Sequence, residues 1–283
     1  MVRMAAAVAD GIGVPLRVQV WDPLGWWLTA HNVDRLNRNW DLALFDKAMR
    51  QAVTCATASW AMASRYEQTY GTPCIPVIAS HDAALVQFPP PELHKSDELI
   101  IGMAGQFYAD SEWLALLKAL DHAGWQVAGR NVILKVFGNH PPPGSTPAGH
   151  LNFQGWKPQE EVIASLARSC DLLYCPYPFA AAMKEVAELS FPSKIPSYLA
   201  AARPIVFHGP SYASPAVYLA EKEAAFVCRG ADPAAVYDGL VSLVEDRMLY
   251  ARLAAAARAA FLSDFTLERM SANVRQFLGY HET

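Results

Sequence analysis

Ser193 and Lys194 stand immediately before Ile195–Ala201, an apolar stretch that reads as a helix. A helix start offers unpaired N–H groups and the positive end of a dipole. A lysine beside it adds a full charge, so the pair suits a phosphate, the plainer alternative being a solvated cation. Gly105 closes the apolar run Leu99–Ala104, and a glycine there lets the backbone approach a ligand closely. Glu185 and Glu188 lie one helical turn apart, either as paired carboxylates or as an exposed helix face. Asp22 can orient a hydroxyl or cap the turn before Pro23. Trp26, Trp27 and Trp40 offer aromatic surface for stacking on sugar rings or for packing. The histidines show no metal spacing, so no metal or other cofactor is expected.

Alternating short strands and helices must hold these groups. A strand is expected at Leu16–Trp21, a helix at Phe45–Ala56, a short strand at Thr54–Ala58, a helix from the cap Ser59 to Gly71 and a strand at Cys74–Ala79. Pro89, Pro90 and Pro91 open a linker over 89–98. Beyond it, strands are read at Leu99–Ala104, Val132–Phe137, His150–Phe153, Asp171–Cys175, Pro204–Phe207 and Ala224–Cys228. Helices are read between them, the first at Ser111–Gly124 with Ser111 as its cap. Short apolar strands separated by helices imply parallel sheets covered on both faces, hence an α/β, doubly wound chain. The amphipathic stretch Thr266–Gly279 comes after these units and must bury its apolar face elsewhere.

With 283 residues, 53% hydrophobic and 18% charged, the chain is neither disordered nor a coiled coil and is long enough for two domains. A net charge of -4, from 23 basic and 27 acidic residues, supplies no field to recruit a nucleic-acid backbone. Five cysteines, with no CxxC pair, indicate neither a disulfide framework nor a zinc site and fit a reducing cytosol. No apolar run reaches 18 residues, so at most a peripheral membrane contact is expected.

The segment Ser190-Phe-Pro-Ser-Lys-Ile-Pro-Ser-Tyr-Leu-Ala-Ala-Ala-Arg-Pro-Ile-Val206 resembles the donor-binding segment of GT-B glycosyltransferases of the retaining family 4 type (glycosyl transferases group 1). In that family Phe-Gly or Pro-Ser-Lys leads into a helix and then Gly-x-Pro-Val-Val. Leu99–Phe107, Phe153–Lys157 and Asp171–Pro176 are similar to further strands and turns of its C-terminal domain. The resemblance implies two Rossmann-like domains, the N-terminal one incomplete: a partial acceptor-side domain at 1–88, the linker 89–98, a nucleotide-sugar domain at 99–262, and a C-terminal helix over 263–283 returning to the first domain.

It also implies a hexosyltransferase-type enzyme of polysaccharide biosynthesis. Such an enzyme moves sugar from a UDP- or GDP-sugar, with retention, to a glycan, lipid or small-molecule acceptor in the cytoplasm or at the inner face of the membrane. Donor ligands carried over are Gly105, Gln106, Ser190, Ser193, Lys194 and Ser197, with Trp156 against the base; Asp22 and Glu188 are the catalytic candidates. Departures are plain: Gln106 stands where the family has Arg, Ser111 where it has Lys, Ser197 at its second glutamate, Glu188 one place from its first, and Trp21 where a His is expected. They leave open a catalytically degenerate binding subunit, or one piece of a split enzyme whose companion chain supplies further N-terminal units.

Overall fold

Short β-branched and apolar runs between capped helices build two parallel sheets in the computed structural model, which describes residues 2–280. In chain order the elements begin with α1 (Val2–Ile12), β1 (Arg17–Val20), α2 (Leu24–Ala30), α3 (Arg35–Gln51), β2 (Thr54–Thr57), α4 (Trp60–Tyr70) and β3 (Cys74–Pro76). They continue with β4 (Glu98–Ala104), α5 (Asp110–His122), β5 (Gln126–Val127), β6 (Arg130–Phe137), β7 (Leu151–Phe153), α6 (Gln159–Ser169), β8 (Leu172–Pro176), α7 (Lys184–Leu189) and α8 (Lys194–Ala201). The remainder are β9 (Ile205–His208), α9 (Ser214–Glu221), β10 (Phe226–Cys228), α10 (Pro233–Glu245), α11 (Arg247–Asp264) and α12 (Leu267–Leu278).

Contacts divide the chain into two units. The first holds the residues up to Ala79, then Ala182–Phe191 and the chain from Leu267; the second holds Ser80–Ala181 and Pro192–Thr266. In the first unit β1, β2 and β3 form a parallel sheet in that order, Val18 facing Cys55 and Cys55 facing Cys74. One face packs Val20, Cys55 and Cys74 under Phe45, Met49, Met62 and Tyr66, with Leu189 of α7 in the same cluster. The other face, Ala56, Ile75 and Val77, is covered by Met270, Val274 and Phe277, spaced along one stripe of α12. Arg17 donates to Thr54 Oγ1 and to the Phe277 carbonyl, and Asn273 donates to the Pro76 carbonyl, so α12 is tied to the sheet by polar bonds as well. The last three residues of the 263–283 segment lie outside the described residues.

The second unit carries a seven-stranded sheet in the order β10-β9-β8-β4-β6, with β5 and β7 both on the outer edge of β6. All pairs are parallel except β5 with β6, a two-residue hairpin that sequence reading missed. The unit begins ahead of the proline run because His81 N donates to the Phe265 carbonyl and Gln87 N to the Ala200 carbonyl. Buried Arg203 then holds the linker, donating to the carbonyls of Pro90 and Glu92 while its Nε takes that of Ala167. Ser111 does not cap α5: the cap position is Ala109, without a side-chain bond, and the Ser111 hydroxyl donates instead to Glu112 Oε2 at 2.9 Å.

Candidate functional site

β4 ends at Ala104 and the chain turns at Gly105 with φ +94°, a conformation that favours glycine. A Cβ at this position would sit 3.4 Å from Lys194 Cε, so the glycine also allows a close approach to the start of α8. Tyr198, one turn into α8, accepts from Ala104 N at 2.7 Å and has its hydroxyl 3.3 Å from the Ala104 and Tyr174 carbonyls. This buried tyrosine fixes the helix start against the ends of β4 and β8. The sequence carries a signal for it: Tyr198 is four residues after Lys194, on the same helix face.

Lys194 is only 9% exposed. Its ammonium donates to the Gln106 carbonyl at 3.0 Å and lies 4.9 Å from the centre of the Tyr108 ring. No carboxylate lies within ion-pair distance of it among the described residues. Burial lowers its pKa from the usual lysine value, partly opposed by Cys175. Burial pushes the Cys175 thiol up to about 11, so that thiol is neutral at pH 7 and gives the lysine no counter-charge. A largely desolvated cation faces a glycine turn at the positive end of α8, where Ser193 caps nothing, the Ile195 N–H is taken by the Pro192 carbonyl and Pro196 has none, so the charge that stabilises an anion here is chiefly the Lys194 ammonium.

The structure thus brings Gly105, Gln106, Ser193 and Lys194 together, with Gln106 contributing its carbonyl. Ser197 has other partners: its hydroxyl, 1% exposed, receives a bond from Gln159 Nε2 and meets His81 Nε2 at 2.9 Å. Burial lowers the His81 pKa, so that ring is neutral at pH 7. Trp156 stands on the loop after β7 with 69% of its surface exposed. Ser111 is committed to Glu112, whose other carboxyl oxygen accepts from Phe179 N at 3.0 Å.

Four expected residues, Asp22, Glu185, Glu188 and Ser190, belong to the first unit. Ser190, at the end of α7, donates its hydroxyl to Asp22 Oδ1 at 3.0 Å, joining positions 168 residues apart. Glu188 is held between Arg65 at 3.7 Å and Lys184 at 3.8 Å. Glu185 keeps over a third of its surface in solvent, yet its carboxyl lies 3.3 Å from where a Cβ on Gly25 would be. Partial desolvation there raises its pKa, opposed by a bond from the Trp26 N–H. Among the described residues no three His, Cys, Asp or Glu side chains cluster so as to hold a metal ion. No described helix is long and apolar enough to cross a membrane.

No family model matches the sequence, and no curated protein matches it. Solved structures do. HepE from Anabaena, in complex with UDP and glucose, aligns with a TM-score of 0.68 at 15% identity, over 99% of this chain and 75% of HepE. Sucrose-phosphate synthase from Thermosynechococcus elongatus aligns at 0.62 with 14% identity, over 98% and 76% of the two chains. WaaG, a glycosyltransferase involved in lipopolysaccharide biosynthesis, aligns at 0.60 with 13% identity, over 93% and 75%. The chain has a GT-B fold. The β4 turn and the start of α8 therefore stand at the carboxyl ends of parallel strands in a GT-B chain, the side of an open α/β sheet where ligands bind.

Proposed function

We propose that the protein is a glycosyltransferase using a UDP- or GDP-sugar, whose diphosphate docks at the Gly105 turn and the start of α8. The observation that carries this reading is Lys194, a cation almost out of solvent with no carboxylate beside it. As the glycosidic bond breaks, negative charge develops on the departing nucleoside diphosphate, and a fixed ammonium at the positive end of a helix stabilises it without reorganising. Lys194 and the α8 start meet that need without a metal. Exposed Trp156 is free to stack on the base. HepE, which has been crystallised with UDP-glucose, supports the choice of donor class by likeness of fold.

Transfer proceeds with retention to a glycan, lipid or small-molecule acceptor, with Asp22 and Glu188 as the catalytic candidates. A cytoplasmic site of action, at most in peripheral contact with a membrane, fits this reading. A binding subunit without turnover is the second reading, favoured by the engaged hydroxyls of Ser197 and Ser111 and by Gln106 in place of a cation. Calorimetric titration with UDP and GDP, followed by a nucleotide-release assay with the matching sugar donors, tests both. Binding with release is expected. Binding without release selects the second reading, and no binding at millimolar nucleotide refutes both.

A further inference from the structure

A second concave site lies in the second unit, away from the carboxyl ends of the strands. His94 and Lys95 of the linker, Arg130, Leu243, Arg247 and Tyr250 line a cavity of about 300 Å³. Arg130 is the first residue of β6, and the linker residues approach the first residue of β4, so the cavity sits at the amino-terminal edge of the sheet. The donor site proposed above is at the opposite edge.

Three permanent cations face this small space: Lys95, Arg130 and Arg247. None of them has a carboxylate within ion-pair distance among the described residues. Arg130 spends one guanidinium nitrogen on the His94 carbonyl at 2.9 Å and the Glu98 carbonyl at 3.4 Å, leaving its other N–H groups uncommitted. The Lys95 and Arg247 side chains are exposed and make no hydrogen bond among the described residues. Glu92 is the single acid in the lining. Asp171, beneath the linker, is fully buried and accepts from His94 N and Ile100 N, with His94 Nδ1 2.9 Å from its Oδ1 but outside hydrogen-bond geometry. Like charges gathered in one recess repel, and an anion placed among them removes that repulsion while taking bonds from guanidinium forks.

We infer that this recess is an anion site for a small phosphorylated compound, with Arg130 and Arg247 gripping phosphate oxygens and Lys95 adding charge. Its volume is at the lower limit for small-molecule pockets, so it takes a diphosphate or a phosphate ester of one small ring rather than a whole nucleotide sugar. Two separated guanidinium groups favour a ligand with two charged centres over a single phosphate. The buried wall of Leu243 and Tyr250 gives such a ligand a rigid floor.

The test is calorimetry with inorganic pyrophosphate at constant ionic strength, on the full chain carrying Lys194→Met. That background weakens the proposed donor site, and the Lys95, Arg130 and Arg247 substitutions, all outside it, assign the remaining binding to the recess independently of the function proposed above. One pyrophosphate per chain is expected, held more tightly than inorganic phosphate or sulfate. Adding Lys95→Gln and Arg247→Gln, both on exposed side chains that hold nothing else in place, should weaken binding by about tenfold or more. Arg130→Gln should do the same, with circular dichroism verifying that the linker still packs. Equal affinity with and without the Lys95 and Arg247 substitutions overturns the site. So does the absence of binding in the Lys194→Met background, or identical weak binding of all three anions.

Discussion

Replacing Lys194 tests the donor site most directly. Alanine would leave a hole in a buried helix start, so Lys194→Met is the cleaner change: it keeps most of the volume, and such swaps cost less than about 1.5 kcal/mol. At 9% exposure the ammonium is little screened by water, so a bond from it to a phosphate oxygen is worth about 1.5 to 3 kcal/mol. Loss of that bond should weaken UDP or GDP roughly ten- to a hundredfold in calorimetric titration. Apo stability should stay level or rise, because the substitution removes a charge that burial disfavours. The pH dependence has a definite sign. With its folded pKa below the ordinary 10.5, the lysine binds fewer protons folded than unfolded between the two values. Over that window the Lys194 contribution to apo stability rises with pH and its contribution to nucleotide affinity falls, both read as the difference between wild type and Lys194→Met, because buried thiols such as Cys175, with raised pKa, add a slope of opposite sign to both proteins. Unchanged nucleotide affinity in Lys194→Met would refute the reasoning.

Ala202 ends α8 in the left-handed region at φ +55°, so Ala202→Gly should stabilise the protein by roughly 0.5 to 1 kcal/mol, read as a higher urea midpoint. Arg203→Met leaves the Ala167, Pro90 and Glu92 carbonyls without their donor; at about 1 to 3 kcal/mol for a buried group left unsatisfied, a loss of roughly 3 kcal/mol is expected, with new proteolysis in the linker. Deleting the chain from Leu267 uncovers Ala56, Ile75 and Val77, and limited proteolysis should then degrade the first unit well before the second. Tyr174→Phe leaves the Glu112 carbonyl and His208 Nδ1 short of a partner and should cost about 1 to 3 kcal/mol by chemical denaturation.

Local chemistry was legible in the sequence where the chain itself supplies both partners. α4 runs from its cap Ser59, which accepts from Met62 N, to left-handed Gly71, and α10 begins at Pro233 behind Asp232, which accepts from Ala235 N. The same holds for Gly105, whose positive φ follows from a turn at the end of a strand. α2 and the first half of α3 went unread because Trp, Asn and Arg crowd that stretch and its apolar stripe is weak; Asp34, accepting from Leu36 N and Asn37 N, was the available signal. Segment 182–191 was assigned with its sequence neighbours, but Leu189 O accepts from Ser59 and Ser190 donates to Asp22, across 130 and 168 residues. No local pattern encodes such distant partners. Whether a polar side chain is free is likewise a tertiary property: Ser197 looks like a ribose ligand in sequence, yet its partners lie 38 and 116 residues away. The departures at Gln106 and Ser111 then have a physical consequence. A phosphate site that lacks two cations must draw its charge from whatever remains within reach of the same anion. Here that is Lys194, so its burial without a carboxylate bears more on function than the match of any motif.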